Sequence, residues 1–157
     1  MIHALRTTAI CLLLALPAAA KDISDRPGWI VQPTSKDHAR LVDDLKTAVK
    51  ANKMGVVTQA GPTGTARSRG IEIPENRVIG VFNNDFAVKI LNTSTAAMIE
   101  APIRFYVTEN EDQTATLSYK TPSFVFAPYA DEGGPELADL AAELDVIFAR
   151  IAKSAAQ

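Results

Sequence analysis

Cysteine is almost missing from this chain: the only one, Cys11, lies within the first twenty residues. Residues 21–157 therefore hold no thiol, which excludes a disulfide framework and cysteine-based catalysis. Histidine is nearly as scarce. His38 is the only one after residue 20, whereas a zinc site takes about three or four His, Cys or carboxylate ligands. A serine triad would have to use His38 as its base, and no G-x-S-x-G turn is present to offer the serine. Positive charge is not in surplus either. The balance is −2, with 16 Lys and Arg against 18 Asp and Glu. The basic signature of a nucleic-acid binder is therefore absent.

What is there reads as one exported domain. The first twenty residues carry Arg6, an apolar run from Ala9 to Leu16, and then Pro17-Ala18-Ala19-Ala20. This is the pattern of a secretory signal peptide cleaved between Ala20 and Lys21. The run is too short for a bilayer, which needs about 20 residues. Ile10 stands before Cys11 where a lipid anchor would need a small residue. The expectation is a periplasmic or secreted protein with no membrane anchor after cleavage. Residues 21–28 form a polar leader and residues 29–154 a single domain. A hydrophobic fraction of 47% supplies a core without staples.

Periodicity gives the elements. "WIVQ" (Trp29 to Gln32) is a short strand. A helix is expected from Thr34, with Asp37 completing a capping box, and with Leu41, Val42, Leu45, Ala48 and Val49 on one face. Gly55 is its expected stop. Strands follow at Val56 to Ala60 and Asn76 to Phe82. A broken helical region comes next, capped by Asn84 or Asp85. "PIRFYVTE" and "ATLSYK" alternate and make a hairpin. "SFVFAPY" reads as a further extended piece. Gly134-Pro135 opens a last helix whose apolar stripe runs from Leu137 to Ile151. Hairpins with helices around them argue for an antiparallel α+β domain, its sheet packed on the long C-terminal helix, with a helical insertion before the last hairpin.

Two stretches, "GIEIPENRVIGVFNN" (Gly70 to Asn84) and "MIEAPIRFYVTENEDQTATLSY" (Met98 to Tyr119), resemble the bacterial domain-of-unknown-function family 302. The order of elements around them, over most of residues 29–130, is similar as well. The resemblance implies a β-α-β4-α order similar to the fold of the TATA-binding protein. It implies no reaction, because the family is defined without one. This chain departs from the family signature: Phe82 is followed by Asn83-Asn84-Asp85 rather than Gly-Asn-Pro, and Ala101 precedes Pro102 in place of leucine.

Candidate sites are few. "AGPTGTARSRG" (Ala60 to Gly70) has the look of an anion loop, but it lacks the lysine-hydroxyl pair of a phosphate loop. It reads as a solvated connection that could still hold an anion through Arg67 or Arg69. Asn83, Asn84 and Asp85 read as a helix cap or as ligand-binding polar groups. The acidic cluster Glu109, Glu111 and Asp112 lacks the spacing of a calcium loop. Tyr106 falls on the face opposite Phe105, where it would line a pocket or meet a second copy in a homodimer. No catalytic residue, metal site or cofactor emerges. Three readings result. The first is a non-enzymatic exported binding or accessory protein, with a cleft for a small apolar or anionic ligand between the sheet and the last helix. The second is a hydrolase or isomerase using Asp85, Glu72 and Arg67. The third is a copper or redox accessory built on His38, Met54 and Met98.

Overall fold

The computed structural model describes residues 23–157. The segment expected to be a signal peptide, Cys11 and the start of the expected leader lie outside them. Five strands form one sheet in the order β1-β5-β4-β3-β2. They are β1 (Trp29–Pro33), β2 (Gly55–Ala60), β3 (Asn76–Phe82), β4 (Ile103–Glu109) and β5 (Ala115–Lys120). Every neighbouring pair is antiparallel. The two edge strands β1 and β2 thus run the same way, and α1 (His38–Ala51) carries the chain between them across the sheet.

The α1 boundaries correct two expectations. Thr34 does not cap it. Its N–H and hydroxyl both donate to the Ala115 carbonyl, at 3.0 and 2.7 Å, and hold it to β5. The N-cap is Asp37, whose carboxylate accepts the Arg40 N–H at 2.8 Å. The helix ends in a Schellman motif before Gly55 is reached. Met54 N–H donates to the Val49 carbonyl and Lys53 N–H to that of Lys50, each at 3.1 Å. Lys53 takes the left-handed position at φ 58°, where glycine would be more comfortable.

The helices lie on one sheet face. The apolar stripe of α5 (Ala130–Ala156) buries Leu137, Leu140, Ala141, Leu144, Phe148 and Ile151. Gly134 interrupts α5 with a non-helical φ of 60°, so its regular part does begin at Pro135. Alternation along β4 puts Ile103, Phe105 and Val107 under this layer. Phe105 stacks on Phe148 with ring centroids 4.7 Å apart, and Tyr119 closes the trio at 5.0 Å from Phe105. The α1 and α5 helices are joined at one end, where the Lys36 ammonium reaches both Asp44 and the Ala155 carbonyl at 2.7 Å. No helix among the described residues is long and apolar enough to cross a membrane.

"SFVFAPY" is helical, not extended. Thr121 caps α4 (Pro122–Phe126) by accepting the Phe124 N–H at 3.3 Å, and proline occupies the first turn. A 3₁₀ turn over Ala127–Tyr129 leads into α5. The helical insertion is α3 (Asn84–Thr93) with a 3₁₀ turn at Ala96–Glu100. Its cap is Asn83, which accepts from the N–H groups of Asp85 and Phe86, rather than Asn84 or Asp85.

Candidate functional site

The glycine-rich stretch has a structural explanation. Thr63–Ser68 forms the short helix α2. A side chain at Gly61 would lie 2.4 Å from the Asn76 carbonyl oxygen, so glycine is what lets this connection lie against β3. Arg67 donates to the Glu75 carboxylate at 2.7 Å, and Arg69 is the exposed C-cap of α2. Both sit near the start of β3. Asn83, Asn84 and Asp85 follow its end, roughly 20 Å away at the usual rise per strand residue. The residues singled out from sequence therefore do not share a cleft. For the same reason Asp85 does not meet Glu72 or Arg67, and the two-carboxylate site is not assembled. His38 at the start of α1 and Met54 just past its end are separated by roughly 20 Å of helix, so the copper trio is not assembled either. No three His, Cys, Asp or Glu residues among those described could hold a metal ion together.

The space between the sheet and α5, beside Met54, Met98 and Phe148, amounts to about 30 Å³. That is room for about one water, so among the described residues this space is too small for the expected ligand. The interlocked Phe105, Tyr119 and Phe148 rings fill it. Asn83 and Asp85 instead border a polar groove of about 560 Å³ with Lys53, Lys89 and Arg150. The acidic hairpin tip binds its own backbone: Asp112 accepts the Thr114 N–H at 3.0 Å.

Two buried side-chain nitrogens among the described residues, His38 Nε2 and Arg77 Nε, have no hydrogen-bond partner. His38 is 8% exposed. Burial pushes its pKa below the ordinary 6.5. Arg77 acts in the same direction, while Glu75, Glu109 and the Val107 backbone oppose it.

A ligand-sized space with aromatic walls lies at the end of the sheet where β4 begins and β5 ends. It measures about 380 Å³ and includes Trp29, Tyr106, Val78, Arg104, Lys120 and Glu100. Register explains the assembly. Phe105 pairs with Tyr119, so the next residues out, Arg104 and Lys120, are cross-strand neighbours. Lys120 pairs in turn with Trp29 on β1. Tyr106 pairs with Ser118 and Val78. Alternation turns Arg104, Tyr106, Lys120 and Trp29 to the sheet face that the helices leave uncovered. Tyr106, chosen from the alternation of β4, thus belongs to a site whose other members are far away in sequence.

The charges here are distributed unevenly. Arg26 lies 5.0 Å and the Lys120 ammonium 5.8 Å from the Trp29 ring centroid, which is cation–π range. Neither Arg104 nor Lys120 forms an ion pair with a described carboxylate. Glu100 accepts a hydrogen bond from the Tyr129 hydroxyl at 2.8 Å. That bond is the main reason the Tyr129 pKa is raised. Like charges directly across a strand pair repel unless something neutralises them. Two cations that make no ion pair with a described carboxylate thus stand beside aromatic walls.

Comparison with known proteins agrees with the fold. A crystal structure of an uncharacterised conserved DUF302 protein from Bacillus stearothermophilus superimposes with a TM-score of 0.73. The match covers 84% of this chain and 100% of that one at 18% identity, which shows a shared fold. No curated protein matches the chain. The family model for the domain of unknown function DUF302 matches residues 30–155, from the first strand to the end of α5. The chain therefore belongs to the DUF302 family.

Proposed function

We propose that this is an exported, non-enzymatic binding protein that takes a small amphipathic anion into the pocket at the β1-β5-β4 end of the sheet. The observation that carries the reading is the Arg104–Lys120 pair. Two cross-strand cations line the same 380 Å³ space, and neither forms an ion pair with a described carboxylate. That volume is in the range of small-molecule sites, about 300–1,000 Å³. Trp29, Tyr106 and Val78 give the space apolar walls, so a ligand with a ring or chain behind its charge fits better than an inorganic ion. The absence of a nucleophile–base pair from these walls favours binding over turnover. Export rests on the pattern of the first twenty residues.

Native mass spectrometry of the protein isolated gently from its source tests this reading. The expected result is a co-purifying small anion that is lost when Arg104 and Lys120 are both replaced by glutamate. Recovery of a bare protein, or the same adduct on the double variant, would refute it.

A further inference from the structure

Resting on that reading, we infer that the ligand is a zwitterion: a ring-bearing molecule with a carboxylate and an ammonium on the same carbon, as in an aromatic amino acid. The pocket has an acidic side as well as a basic one. Glu100 lines it together with Arg104 and Lys120. Its Oε1 accepts the Tyr129 hydroxyl at 2.8 Å, which fixes the carboxylate in the wall. Its second oxygen has no partner among the described residues, and Glu100 makes no ion pair with either cation. Basic and acidic groups thus face one small space without neutralising each other.

A half-buried carboxylate with a spare oxygen weakens, without abolishing, the binding of a simple anion beside it. The same carboxylate favours a ligand that brings a cation to it. A carboxylate shared by Arg104 and Lys120, with an ammonium on the Glu100 oxygen, satisfies all three groups at once. The aromatic walls then receive the side chain of the ligand, and Trp29 lies against it under cations that already attract its ring.

Isothermal titration with two probes tests this. Phenylalanine and 3-phenylpropanoate share the ring and the carboxylate and differ in the ammonium. A charge-assisted hydrogen bond to Glu100 predicts that phenylalanine binds at least about tenfold more tightly. Glu100→Gln keeps an acceptor for Tyr129 and should bring the two probes within about threefold of each other. Tyr129→Phe leaves Glu100 charged and should preserve the preference, and melting curves check that both variants fold. Equal affinity of the two probes for the native protein would overturn the zwitterion inference and leave anion binding standing. A preference that survives Glu100→Gln would do the same. If neither probe binds, both the inference and the reading beneath it fail.

Discussion

Arg104 and Lys120 stand opposite each other on adjacent strands of the uncovered sheet face, and no carboxylate among the described residues neutralises either. A directly opposed like-charge pair destabilises a sheet slightly, while an opposed unlike pair stabilises it.

Lys120→Glu should therefore move stability and binding in opposite directions. It converts repulsion into attraction and should stabilise the fold by about 0.5 kcal/mol, as expected for an exposed pair. It should also abolish affinity for anions. Urea unfolding and a binding titration on the same sample check both halves. A variant that loses stability would show that the lysine is held by contacts other than the pocket charge.

His38 sets one limb of the pH–stability profile. Its folded pKa lies below the ordinary 6.5, chiefly through burial. As pH falls from 6.5 toward the folded value, the unfolded chain binds the proton first, so stability falls with pH through that window. His38→Gln should flatten this limb. A second limb should remain. Asp44 is held below its ordinary 3.8 chiefly by the hydrogen bond from Lys36, and Asp112 by that from Thr114. Their contribution is present above 3.8 and is lost as pH falls through the folded values. Urea midpoints measured from pH 7.5 to 3 resolve the two limbs. An unchanged upper limb in His38→Gln would contradict the assignment.

Two glycines of the same loop should respond oppositely to alanine. At Gly61 the added carbon meets the Asn76 carbonyl oxygen at 2.4 Å, and backbone cannot step aside cheaply. The expected cost is about 2 kcal/mol. At Gly64, inside α2, nothing lies within 4 Å. Alanine there should be neutral or stabilising by up to about 1 kcal/mol through helix propensity. Thermal melts of the two single variants make the comparison.

Lys53→Gly should stabilise the protein by about 0.5 kcal/mol, because a left-handed Schellman position penalises a side chain. Loss of stability instead would mean that the lysine stem packs in a way that outweighs its backbone strain. Chemical denaturation resolves a shift of that size.

Much of the fold was legible in the sequence, because its strongest signals are periodic. The stripe from Leu137 to Ile151 and the alternation of β4 each specify an element and its buried face. What was missed has local causes. Phe124-Val125-Phe126 is too short an apolar run to tell strand from helix, and Thr121 with Pro122 decided it. The Thr34 hydroxyl suits a helix cap, whereas its bonds go to Ala115 on a strand 81 residues away. The site was the least legible part. Tyr106 could be chosen from alternation alone. Trp29, Arg104 and Lys120 meet only through strand register, and the order β1-β5-β4 brings the first strand beside the last. The glycine-rich loop drew attention by composition, which reports backbone freedom as readily as it reports a ligand.

Trp29 is the single tryptophan of the chain and lines the pocket, so its emission reports on this site alone. A fluorescence titration with 3-phenylpropanoate thus tests directly whether this pocket binds an amphipathic anion. The expected result is a saturable change in Trp29 emission that disappears when Arg104 and Lys120 are both replaced by glutamate. An emission spectrum that stays constant up to millimolar probe, or changes equally in the double variant, would contradict it.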